Sequence, residues 1–232
     1  MAAVRENGAK GTGTTANPTA SFGFTATAGR LLVLTVTGDD YNSGNPTGYT
    51  LSSGCEQEGY AGDYVWWKVA AGGETSVQYV LGSAVRSSWT VEEWSGLEAS
   101  PYDTSAGQFA NTGFYSYSTP AVTPTTGERL LLARMFGMAP ADDITDVASW
   151  TNSFAESDEQ INNGANPRQI IGTAHRSVTG NGSTTFDTSG TFSGGAAPPV
   201  QHAAGILIAF KIAAGGGPSN APRSTHQYRQ RR

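Results

Sequence analysis

Two adjacent carboxylates in the run TVEEWSG, Glu92 and Glu93, are the first place where this chain could carry acid–base chemistry. A glycoside-cleaving pair needs both carboxylates aimed at one reacting bond. Neighbours in a strand point to opposite faces, so Glu92 and Glu93 diverge, and the expectation is one outward carboxylate and one at a sheet end or paired with Arg or Lys. Asp39-Asp40 and Asp142-Asp143 each follow a strongly apolar run, and Asp146 lies near the second pair. Loop carboxylates so placed could gather calcium, although aspartate also serves turns by bonding to nearby backbone. His175, His202 and His226 lack the close spacings of a zinc site. Cys55 is the only cysteine, which excludes an intrachain disulfide and a multi-cysteine metal site. The chain has no Gly-x-Ser-x-Gly elbow, Walker loop or dinucleotide fingerprint. The glycine-rich GSTTFDTSGTFSGG, residues 182–195, lacks the lysine and following helix that phosphate cradling requires. No catalytic residue, cofactor or metal is assigned from these residues, and the chain is expected not to be an enzyme.

The other chemistry on offer is contact chemistry. In VWWKVAAGGETSVQYV, residues 65–80, two tryptophans stand side by side before a Gly-Gly turn. Strand alternation puts Val65, Trp67 and Val69 on one face and Tyr64, Trp66 and Lys68 on the other. If the first set lines the core, Tyr64, Trp66 and Lys68 form an outward surface able to stack on a sugar ring or anchor a protein contact. Two alternatives stand beside this: the other half of the chain or an N-terminal strand covers Trp66, or Trp67 is the exposed tryptophan. Tyr41, Tyr102, Phe114, Tyr115 and Tyr117 are further aromatics at loop positions.

The elements that must position these residues are short, rich in Val, Leu, Thr and aromatics, and bounded by Gly, Asn, Asp, Pro or Ser. They are predicted near 19–26, 30–37, 48–54, 63–70, 75–81, 86–95, 102–109, 115–122, 129–137, 148–155, 168–177, 183–187 and 204–212, with no sustained helical period. The runs GRLLVLTVTGDD and GERLLLARMFGMAPADD echo each other, as do GYTLS and SWTNS, and VWWKVAAGGETSVQY with TAHRSVTGNGSTTF. The expected fold is therefore all-β: one antiparallel β-sandwich, jelly-roll-like, with two similar halves at about 19–122 and 123–212. Residues 1–18 are expected to precede it as an N-terminal segment. Gly72-Gly73 and Gly180-Asn181-Gly182 are expected to turn hairpins.

Charged residues make up only 14% of the 232, and the net charge of −5 is unevenly placed. Arg223, Arg229, Arg231 and Arg232 lie in the last ten residues, leaving 10 basic against 19 acidic groups in the rest. That acidic body argues against nucleic acid as a partner, since such readers spread basic residues over a folded face. Residues 213–232, with no apolar periodicity, are expected to form a flexible basic arm, its arginines binding carboxylates on an acidic partner or another copy's body. No stretch approaches the roughly 18 apolar residues of a membrane helix, and the N-terminus has no apolar signal region, so a soluble protein without a classical export signal is expected.

The segment 63–104, with its "Lys-Val-Ala-Ala-Gly-Gly-Glu-Thr-Ser" hairpin and its "Val-Glu-Glu-Trp-Ser-Gly-Leu" strand leading to Pro-Tyr-Asp, resembles a recurring β-sandwich module in virion proteins of long-tailed bacteriophages, particularly those of actinobacteria. GRLLVLTVTGDD and AAGILIAFKIA extend the likeness over most of residues 20–212. The resemblance implies a virion structural protein, assembled in the host cytoplasm: a minor tail, tail-tip or appendage component, or a capsid decoration protein. It implies other virion proteins and copies of itself as partners; the alternative, read from outward Trp66 and the loop aromatics, is a glycan-binding module contacting the host cell envelope. It brings no active-site residue with it.

Overall fold

The computed structural model describes residues 2–38, 42–57, 61–83, 85–111, 115–139, 145–163, 168–194, 200 and 202–215. The fold is all-β. The first half contains β1 (Val4–Gly13), β2 (Thr19–Ser21), β3 (Leu31–Gly38), β4 (Asn42–Gly44), β5 (Thr50–Gln57), β6 (Ala61–Val69), β7 (Ser76–Gln78), β8 (Val80–Leu81) and β9 (Ser87–Ser95). The second contains β10 (Leu97–Ala110), β11 (Ser116–Ser118), β12 (Gly127–Ala139), β13 (Asp146–Ala148), β14 (Ala155–Asn162), β15 (Arg168–Gly180), β16 (Ser189–Ser193) and β17 (His202–Ile212). Each half builds one five-stranded antiparallel sheet, in the orders β1-β9-β3-β6-β5 and β10-β17-β12-β15-β14. Strand for strand the two orders are the same. The short strands repeat the correspondence, with β11-β16-β13 in the second half and the pairs β2-β7 and β4-β8 in the first.

The two large sheets pack face to face as a sandwich, and the short strands cover their outer faces. The central strands are therefore covered on both faces, which is why β3 is buried at every position and β12 at all but its first two. Their apolar runs do not alternate for the same reason. The core accordingly has three tiers. Leu32, Leu34, Val36, Tyr64, Trp66, Tyr79 and Phe22 fill the first half's outer tier. Leu31, Val33, Val65, Trp94, Leu130, Leu132, Ile208 and Phe210 fill the tier between the sheets. Leu131, Ala133, Val147, Ile170, Phe192 and Leu207 fill the second half's outer tier.

Strand registers identify counterparts. Leu31 pairs with Val69 and Trp94, and Leu130 pairs with Ser177 and Phe210. Counting back from these pairs, Trp67 corresponds to His175, Lys68 to Arg176 and Trp94 to Phe210. Trp67 meets Phe210 edge-on with ring centroids 6.1 Å apart, and His175 meets Trp94 edge-on at 5.1 Å. These two contacts are the same contact with the halves exchanged, as a two-fold relation between halves requires. Thr35 and Arg134 are also counterparts, and Arg134 Nε donates to Thr35 Oγ1 at 3.0 Å, so this relation passes between them.

Four expectations about the elements are corrected. Residues 4–13, placed before the sandwich, form its edge strand β1, paired with β9 throughout. The halves divide at Gly96, not near 122, because β10 and β11 belong to the second half. Gly96 holds φ at 77°, and a Cβ there would lie 2.4 Å from the Ala2 carbonyl oxygen, so only glycine allows the chain to pass from one sheet to the other at this point. The strand expected at 148–155 is instead a turn, with Ser149, Asn152 and Ser153 at positive φ. The polar strand β14 (AESDEQIN) follows it, and the strand expected at 183–187 lies later, as β16. Gly72 and Gly73 do turn a hairpin, at φ of 95° and 92°. Among the described residues no helix is long and apolar enough to cross a membrane.

Candidate functional site: two corresponding outer clefts

Glu92 and Glu93 diverge as strand geometry requires. Glu93 faces outward under the loop before β3, accepting from the Thr27 backbone N–H at 2.7 Å, Asn7 at 2.5 Å and Arg30 at 3.1 Å. Glu92 points between the large sheets with no exposure, and its carboxylate is bonded by the equally buried Arg134. Thr173 Oγ1 donates to it at 3.2 Å and Trp94 Nε1 at 3.3 Å, with the Arg5 guanidinium 3.4 Å away. Arg5 continues to Asp158 at 2.8 Å, where Lys10 also lands at 2.9 Å. This ionic string joins β1 and β9 of the first half to β12, β14 and β15 of the second. Burial draws the Arg134 guanidinium below its ordinary pKa, against the opposing pull of Glu92.

His175 and His202 are likewise used in the packing. His175 shares a hydrogen bond with Ser157 Oγ at 2.7 Å beside Trp94, and burial lowers its pKa. His202 sits between Asp63, at 2.8 Å, and Asn111, at 2.9 Å. Among the described residues no group of three His, Cys, Asp or Glu side chains gathers as a metal site. His226, Asp39, Asp40, Asp142, Asp143, Tyr41 and Phe114 lie outside the described residues, as do Arg223, Arg229, Arg231 and Arg232.

A carboxyl cluster does form around Glu159, whose Oε1 accepts from the Val147 N–H beside Asp146. Burial raises the Glu159 pKa from 4.5 to about 7; the Val147 bond opposes this, and the charges of Asp146 and Glu156 add to it. The folded protein thus keeps a proton that the unfolded chain has released. The stabilisation is complete below pH 4.5 and is lost as pH rises through about 7. The melting temperature should therefore fall across that window, and Glu159→Gln should flatten the fall. Parallel curves for the two proteins would contradict this.

The expected outward surface is corrected. Tyr64 is 1% exposed and Trp66 is not exposed at all. They stack on each other at 5.1 Å beneath β2, β7, β8 and their flanking residues Phe22 and Tyr79, and Trp66 Nε1 donates to Asn45 Oδ1 at 3.0 Å. Trp67, on the opposite face, is half-buried between the large sheets, parallel to Tyr102 with centroids 5.8 Å apart. Both tryptophans are thus core residues, in different tiers.

Of the three nominated residues only Lys68 reaches the surface. Its Nζ lies 5.5 Å from the centroid of the Tyr49 ring and 2.8 Å from Glu74 Oε1. Burial works to raise the Glu74 pKa, but the bond from Lys68 and the Ala71 N–H prevail and hold it down at about 2. These groups line a cleft of about 350 Å³ between the 45–49 loop, the end of β6 and the hairpin leading into β7. Its counterpart in the second half is a cleft of about 460 Å³ between Asn152 and Ser153, Arg176 on β15, and residues 185–187. There the Arg176 guanidinium lies 5.7 Å from the centroid of the Phe186 ring and donates to the Asn152 carbonyl at 2.8 Å. Asn152 Nδ2 in turn bonds Asp187 Oδ1 at 2.8 Å. Tyr49, Glu74, Arg176, Phe186 and Asp187 were not singled out from the sequence. The alignment of VWWKVAAGG with TAHRSVTGN, which sets Lys68 against Arg176, is the signal that could have found the pair.

Compared with protein-family models, with curated proteins and with solved structures, the chain matches none.

Proposed function

We propose that the chain is a non-enzymatic structural protein of a long-tailed bacteriophage virion, a minor tail, tail-tip or appendage component that acts through assembly with other virion proteins and copies of itself. The observation that carries the reading is the use made of Glu92. The TVEEWSG run contains the carboxylate pair that suggested acid–base chemistry, and it belongs to the stretch that resembles phage virion modules. Its Glu92 is buried without exposure against Arg134 of the other half. Groups committed to joining two halves are unavailable to a substrate, and what is left to act is the outer surface.

The strand order supports the same reading. Numbered within the second half, the large sheet runs 1-8-3-6-5 and the small one 2-7-4. We read this as a jelly roll whose fifth strand has joined the larger sheet; jelly rolls build viral capsid domains as well as lectins and cupins. The first half repeats the order, and in this reading the chain is a fused pair of such units. Residues 216–232, which lie outside the described residues, carry the four terminal arginines, and in this reading they fasten the body to an acidic surface of a neighbour.

The test is incorporation. Density-gradient-purified particles, assayed by mass spectrometry, should contain the full chain at a fixed copy ratio to the major head or tail protein. A chain truncated after residue 215 should fold, by circular dichroism, yet be missing from the particles. A full chain found only in the particle-free lysate would overturn the proposal, and a truncated chain that incorporates normally would overturn the role of the arm.

A further inference from the structure

We infer that the two corresponding outer clefts are a pair of saccharide sites, which gives one chain two valences for an uncharged glycan. The inference stands on the clefts alone and does not depend on the particle assignment.

The first support is their correspondence. Strand register makes Lys68 and Arg176 counterparts, opposite Leu32 and Leu131 respectively. Both sit on the outer face of their sheet, and both lie over an aromatic ring at nearly the same distance, 5.5 Å and 5.7 Å. Each lines a cleft built from the loop before the edge strand and the connection that follows the cation's own strand. The ring differs in origin, Tyr49 coming from the loop and Phe186 from the connection, so the arrangement is kept although the residues supplying it are not the same.

The second support is the chemistry of the walls. Lys68 is neutralised by Glu74 at 2.8 Å, and Arg176 is tied through Asn152 to Asp187. An anion entering either cleft meets a carboxylate, and a metal cation meets a guanidinium or ammonium group. An uncharged ligand meets neither penalty. The remaining lining groups, Asn45, Thr47 and Gln78 in one cleft and Ser153 and Thr185 in the other, offer amides and hydroxyls that both donate and accept. Sugar hydroxyls need that mixture, because each is donor and acceptor at once. The volumes, about 350 and 460 Å³, lie within the roughly 300–1,000 Å³ of small-ligand clefts.

The experiment is calorimetric titration of the full chain with maltohexaose, cellohexaose, xylohexaose and mannohexaose, and separately with inorganic phosphate. At least one hexasaccharide is expected to bind with two sites per chain. Lys68→Ala and Arg176→Ala should each leave one site and the double variant none, with melting temperatures unchanged. If Lys68→Ala proves unstable, Gln78→Ala and Asp187→Asn replace the two substitutions with the same expected loss of sites. The proposal is overturned if no hexasaccharide binds, if only one site exists in the unaltered chain, if the double variant keeps both, or if phosphate binds in their place.

Discussion

Arg134→Met is expected to destabilise the protein by about 3–5 kcal/mol, read as a shift in the urea midpoint. The side chains are of similar length, so the loss does not come from a void. It comes from Glu92, left without its cation at a position with no exposure, where only Thr173, Trp94 and the more distant Arg5 still face it. Adding Glu92→Gln removes the stranded charge while keeping an acceptor for Trp94 Nε1 and turning an amide N–H toward Thr173 Oγ1, which still donates to the Asp158 carbonyl, so the double variant should recover most of the loss. Recovery is the informative half of the experiment. A single variant that loses less than about 1 kcal/mol, or a double variant no better than the single, would mean that the halves are not joined through this pair.

Trp66→Ala is expected to cost a similar amount, about 3–5 kcal/mol. An outward Trp66 would be nearly neutral on removal, because exposed substitutions usually stay within about 0.5 kcal/mol. In the structure the ring is wholly buried against Tyr64 under the β2 and β7 cover, and its loss also frees Asn45 Oδ1. Lys68→Ala, two residues along and on the same face, should cost under about 1 kcal/mol, since its pair with Glu74 lies at the protein surface. The contrast between neighbours on one face is checked by denaturant melts of the two proteins. Equal losses would contradict the placement of the outer tier.

The strands that the sequence made legible are those whose side chains are apolar for a physical reason visible in one dimension. LLVLTV and LLLARMF stand at the centre of their sheets, where both faces are covered, so their composition announces them. β1 (VRENGAKGTG) and β14 (AESDEQIN) are edge strands that pack against each other through Arg5, Lys10 and Asp158. Edge strands are kept polar and charged, so the hydrophobic pattern could not show them. The echo between halves was also legible, but its boundary was not, because β10 begins directly after β9 with only Gly96 between.

Strand alternation correctly divided Tyr64, Trp66 and Lys68 from Val65 and Trp67. It could not say that the face of the first set is covered, since the cover comes from Phe22, Tyr79 and the short strands on either side in sequence. The clefts lay further from view. Each depends on three segments that meet only after folding, and only the Lys68–Arg176 correspondence is written in the chain itself.

A duplicated body with its ionic groups turned inward, working through its outer faces within a particle, is tested most directly by electron microscopy of virions decorated with an antibody to residues of the 45–49 loop. Label at a fixed, repeating position on the tail, tail tip or head surface is the predicted result. Intact particles that carry no label, while the same antibody binds the free protein in the lysate, would contradict it.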